Sequence, residues 1–90
     1  MPKYLIERGI PDVGRFSAEQ LKEVSKTSCD AIYKLGPQVQ WQHSYVLNNK
    51  SYCVYIAPNE DMIREHAKLS GFPVDTIYTV STIIDPATSE

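Results

Sequence analysis

"VQWQHSYVLNNKSYCVYIA", residues 39–57, is the stretch on which the fold turns. Both of its halves are rich in β-branched and aromatic residues. Between them stand Asn48 and Asn49, which tolerate the left-handed backbone of a tight turn. The spacing predicts an antiparallel hairpin with strands at 39–47 and 50–57. With a two-residue loop, Trp41, His43 and Tyr45 share a face with Tyr52, Val54 and Ile56, while Ser44 and Val46 share the other with Cys53 and Tyr55. The small residues Ser44, Cys53 and Ala57 suit a surface covered by helices, which leaves the Trp41, His43, Tyr45 row on the open side. A three-residue loop would instead group His43 with Cys53 and Tyr55.

Toward the C-terminus, Pro58 ends the hairpin and Asn59 is placed to cap a helix, with Glu60 and Asp61 suited to the positive end of its dipole. "EDMIREHAKLSGFP", residues 60–73, winds into an amphipathic helix with Met62, Ile63, Leu69 and Ser70 on one side and His66 in the middle of that side. Gly71 and Pro73 close it. "DTIYTVSTIID", residues 75–85, reads as a last strand, and "PATSE", residues 86–90, as a loose polar tail.

Toward the N-terminus, Lys3 to Ile10 is a short β-type run. "FSAEQL", residues 16–21, has the form of a capping box with a hydrophobic staple: Ser17 and Gln20 exchange bonds and Phe16 clasps Leu21. The helix it starts carries Leu21, Val24, Ser28, Ala31, Ile32 and Leu35 at steps of three and four, and stops at Gly36 and Pro37. The order is therefore βαββαβ. That order predicts one α+β domain over 1–90, a ferredoxin-like sandwich with both helices on one face of an antiparallel sheet. The other face is left bare and aromatic, which points to a homodimer with the open faces paired, a dimeric α+β barrel.

Composition narrows the function. A formal charge of −2 over 90 residues, with scattered Lys and Arg, leaves no basic footprint for nucleic acid. No run approaches the roughly 18–20 apolar residues of a membrane span, and a carboxylate at Glu7 interrupts any signal-like start. The chain reads as cytoplasmic, with Cys29 and Cys53 as free thiols. No Gly-rich phosphate loop or metal-binding Cys/His spacing is present, and neither cysteine has an activating partner beside it.

The candidate residues are the two histidines and the aromatics around them. His66, on the inner side of its helix, is either a satisfied core residue or a ligand in a pocket between helix and sheet, near Cys53, Ser44 or a tyrosine. His43 is either a cross-strand spacer in a dimer interface or a group walled by Trp41 and Tyr45. Glu60, Asp61 and Glu65 read as helix-face charges, although Glu65 beside His66 also suits a surface metal ion. A cofactor-free enzyme or small-molecule binder would use a pocket lined by Trp41, Tyr45, Cys53 and Tyr55 with His66. A plain interaction module, whose histidines merely pack, is the third reading.

"MPKYLIER", "WQHSYV", "YCVYIAPNEDMIREHA", "GFPVD" and "IIDPATSE" together resemble, over nearly the whole chain, a family of small bacterial ferredoxin-like domains of unknown function that includes a nickel-binding protein. The resemblance implies a dimeric cytoplasmic protein that binds a nickel ion for sequestration or detoxification. It makes His43 in "WQHSYV" and His66 in "REHA" the candidate metal ligands. Two imidazoles cannot satisfy a six-coordinate ion, so waters, carboxylates or a second subunit must contribute.

Overall fold

A computed structural model of residues 1–90 contains β1 (Lys3–Gly9), α1 (Ala18–Leu35), β2 (Gln40–Val46), β3 (Lys50–Ile56), α2 (Glu60–Ser70) and β4 (Thr76–Val80), with 3-10 turns at Val13–Arg15 and Pro86–Ser89. The strands form one antiparallel sheet in the order β2-β3-β1-β4. With both helices packed on one side, this is the ferredoxin-like α+β fold.

The helix ends are set locally. Ser17 Oγ accepts from the Gln20 N–H at 3.1 Å, and Gln20 Oε1 accepts from the Ser17 N–H at 2.8 Å, so two amides at the start of α1 are satisfied reciprocally. Asn59 Oδ1 accepts from the Met62 N–H at 3.0 Å and caps the start of α2 with a single bond. Gly71, at φ +79°, takes the left-handed conformation that ends α2.

Alternation along the central strands selects the core. Tyr4 and Ile6 of β1 and Cys53 and Tyr55 of β3 face the helices and pack with Val39, Ala57 and Ile63. Ile6 and Ile63 are almost wholly buried, and each contributes roughly 2 kcal/mol of apolar burial.

Three expectations are corrected. First, Trp41 does not share a face with His43. Trp41 pairs with Tyr55 and His43 with Val54, so Gln42 is an extra, unpaired residue. A β-bulge of this kind resets the alternation. Trp41 is therefore turned under α1, its ring 6.5 Å from that of Tyr55 at 22°, and its indole N–H donates to Ser44 Oγ at 2.9 Å. His43 and Tyr45 stay on the open face, opposite Val54 and Tyr52.

Second, Leu69 is exposed. The buried arc of α2 runs through Ile63, His66 and Ala67, with Ser70 half-buried, and Leu69 lies outside it. Third, β4 ends at Val80 rather than near Asp85. Val80 pairs with Lys3, where β1 begins, so residues beyond it have no strand to bond to and Ile83 and Ile84 are left exposed. Pro86–Ser89 form a 3-10 turn capped by Asp85, whose Oδ1 accepts from the Ala87 N–H at 3.0 Å.

Candidate functional site

Beneath the first half of α1 the facing residues are small. Ser25 and Ser28 look down from the helix, and Ser44, Ser51 and Cys53 look up from the sheet. They do not fill the layer, and a cavity of about 250 Å³ remains. Leu21 and Val24 line it from α1, Trp41 and Tyr55 from the sheet, and Ile10, Val13 and Phe72 from the flanking loops and turn. The Gln42 bulge has a direct role, since without Trp41 turned inward this wall would be missing.

One charged residue lines the cavity: Arg8. Strand alternation puts it on the face of Tyr4 and Ile6, and it is only 1% exposed. Its Nη1 donates to the Pro73 carbonyl at 2.8 Å, while Nε and Nη2 have no protein partner. The guanidinium carbon lies 5.9 Å from the centre of the Tyr55 ring and 5.5 Å from that of Phe72, within cation–π range of both. The ion pairs of the chain are Lys50 with Glu7 and Arg64 with Glu60, so no carboxylate neutralises Arg8.

A chain of neutral polar groups runs from the cavity into the helix layer. Ser28 Oγ lies 3.0 Å from the Tyr55 hydroxyl and 3.1 Å from His66 Nε2, and the Ser28 carbonyl is 3.3 Å from the same nitrogen. That carbonyl can only accept, which assigns the ring proton to Nε2 and leaves buried Nδ1 as an acceptor without a partner. Burial lowers the His66 pKa, and the Arg8 charge adds to the lowering against the opposing bond to the Ser28 backbone. Burial likewise raises the Tyr55 phenol, with the Ser28 bond and Arg8 pulling the other way. The imidazole and the phenol are both neutral near pH 7.

The two histidines are not brought together. His66 is 0% exposed beneath α2, with Nε2 engaged by Ser28. His43 stands on the opposite face of the sheet, exposed, with Nε2 3.1 Å from the Tyr45 hydroxyl and the two rings edge to face at 5.0 Å. Tyr45 is therefore remote from the cavity, whereas Trp41, Cys53 and Tyr55 line it. Glu65 points outward while His66 points inward, so the pair does not form a surface chelate, and Glu60 is engaged with Arg64 at 3.7 Å. No three His, Cys, Asp or Glu side chains converge. One chain thus does not provide a chelating set for nickel. Cys29 is exposed and Cys53 buried, both as free thiols.

Arg8 is the site residue that sequence reasoning missed. The signal for it is the period-two run Tyr4, Ile6, Arg8, which puts the arginine on the core face.

Fold and site define a ferredoxin-like α+β protein with a partly open, singly charged cavity on one side of its sheet and an exposed aromatic–imidazole surface on the other. The model of the family described as "Nickel responsive protein SCO4226-like" matches residues 4–80, and the chain belongs to that family. Among solved structures it is similar to SCO4226 from Streptomyces coelicolor A3(2), with a TM-score of 0.74 at 16% identity over 91% of this chain and 99% of that one. At that identity the likeness concerns the fold. Comparison with the curated proteins finds no match.

Proposed function

We propose that this member of a nickel-responsive family is a nickel-binding homodimer of the cytoplasm that sequesters the ion, with His43 as the imidazole ligand. The observation that carries this reading is the exposure of His43 on the open sheet face, the one imidazole of the chain that solvent reaches. Imidazole is a good donor to nickel. Because a single chain lacks a chelating set, the second subunit has a chemical purpose: two-fold pairing of the open faces doubles every donor at the interface, with carboxylates or waters completing the shell. The same face carries Tyr45 and Tyr78, 57% and 47% exposed, which suits burial against a second copy. No helix is long and apolar enough to cross a membrane.

Calorimetric titration with NiCl₂ at about pH 7.5, on the wild type, His43→Ala and His66→Ala, tests this reading, with light scattering for mass. The expected result is a dimer, at least tenfold weaker nickel binding in His43→Ala, and little change in His66→Ala. Unchanged affinity in His43→Ala removes that residue from the site, and a monomer with and without nickel removes the shared interface. Because a coordinating imidazole must be deprotonated, affinity falls on acidification.

A further inference from the structure

A buried cation without a counter-ion is costly, because the desolvation of a guanidinium amounts to several kcal/mol and is offset only by well-formed partners. Arg8 has one such partner, the Pro73 carbonyl. The two nitrogens left over, Nε and Nη2, form one edge of the planar fork, the edge that meets both oxygens of a carboxylate side-on. The rest of the cavity is largely apolar, with Leu21, Val24 and Trp41 among its walls.

We infer that this cavity is a binding site for a small monoanionic carboxylate with an apolar or aromatic body. Nε and Nη2 are buried as well as unpartnered, so the carboxylate pairs with this edge of Arg8 once the side chains over it shift, and the body lies between α1 and the Trp41 and Tyr55 rings. Two features narrow the chemistry. There is one positive charge and no second cation among the lining residues, which matches a monoanion better than a phosphate dianion. The volume of about 250 Å³ exceeds the roughly 150 Å³ that accommodates a benzene ring in an engineered apolar cavity, leaving space for a short acid arm. Ser28 and the Tyr55 hydroxyl, already bonded to each other at 3.0 Å, supply the polar edge near the ring. The site lies across the sheet from His43 and does not rest on the nickel reading.

Isothermal titration of the full chain, free of nickel, with phenylacetate and with its neutral counterpart phenylacetamide tests the assignment, octanoate serving as a non-aromatic carboxylate. The expected result is one carboxylate per chain, with the amide bound at least tenfold more weakly. Arg8→Lys, which keeps the charge but loses the fork, should weaken phenylacetate at least tenfold. Val24→Phe, which fills the cavity and leaves Arg8 in place, should abolish binding. The inference is overturned if acid and amide bind alike, if Val24→Phe binds as well as the wild type, or if neither phenylacetate nor octanoate binds at millimolar concentration, in which case the cavity holds water only. The acid–amide comparison is made on the wild type, so it decides the matter even where a variant fails to fold.

Discussion

Ser28 holds His66 twice: His66 Nε2 lies 3.1 Å from the Ser28 hydroxyl oxygen and 3.3 Å from the Ser28 carbonyl, so a single residue of α1 ties down the buried imidazole of α2. The tie requires only the neutral ring, and burial makes the charged form unfavourable.

Acidification should therefore unfold the protein from this point. The His66 pKa is lowered from its ordinary 6.5 in the fold. Above pH 6.5 both folded and unfolded chains carry a neutral ring, and the contribution to stability is fully present. Below it the unfolded chain takes up a proton that the folded chain resists, so stability falls until the pH drops below the folded pKa. Urea midpoints should be flat from about pH 7 to 8 and decline just below pH 6.5. His66→Gln should remove the part of that slope which belongs to this ring, and an unchanged slope in the variant would assign the acid sensitivity to other groups.

Replacing Arg8 with methionine should raise stability. The substitution removes a buried charge with no carboxylate partner and leaves a shorter, flexible apolar chain in place of the guanidinium that lies over Tyr55 and Phe72. Leaving the Pro73 carbonyl without its donor costs about 1 kcal/mol, less than the several kcal/mol of guanidinium desolvation. A net gain of about 1–2 kcal/mol in urea unfolding is expected. A loss would mean that the guanidinium is a stabilising element of the core.

Deletion of Gln42 should be tolerated. Trp41 and His43 already pair with the adjacent residues Tyr55 and Val54, so removing the residue between them regularises the ladder and leaves each on its present face. The tryptophan should stay shielded from acrylamide quenching, and stability should change by no more than about 1 kcal/mol. A solvent-exposed tryptophan in the deletion variant would contradict the bulge assignment.

Gly14→Ala should be harmful although no positive φ is involved. A Cβ at this position would stand 2.8 Å from the Leu47 carbonyl oxygen and 2.9 Å from Asn48 Cα, and the Gly14 N–H donates to the Asn48 carbonyl at 3.0 Å. Backbone cannot swing aside as a side chain can, so the hairpin turn has to move away from the β1–α1 connection. A cost of roughly 1–3 kcal/mol is expected in thermal or urea unfolding.

The features legible in the sequence are those settled by neighbours along the chain. Ser17 with Gln20, Asn59 with Met62 and the Asn48-Asn49 turn act over two or three residues, so the order of elements could be read directly. Neither asparagine of that turn adopts the left-handed backbone expected of it, whereas Asp12, at φ +60°, does. His66 was legible as a buried position from the period of α2. The bulge was not, because Gln42 carries none of the Gly or Pro marks that signal an irregular strand, and only the register against β3 reveals it. As a result Trp41 joins Cys53 and Tyr55 in lining a common cavity, while Tyr45, which simple alternation places on one face with Trp41, stands behind the sheet with His43. Arg8 was obscured by two rules in conflict: period two places it inward with Tyr4 and Ile6, whereas its charge argues for water. In a chain this short, the position where alternation and polarity disagree is the first place to look for a ligand contact.

Because the bulge parts two near neighbours in sequence, the sheet acts as an optical and magnetic partition. The sole indole faces the inner compartment, and the sole accessible imidazole faces the outer one. Emission from Trp41 and the ring proton resonances of His43 can thus be followed in one sample as two independent channels. Any solute that moves both signals together must be reshaping the sheet itself.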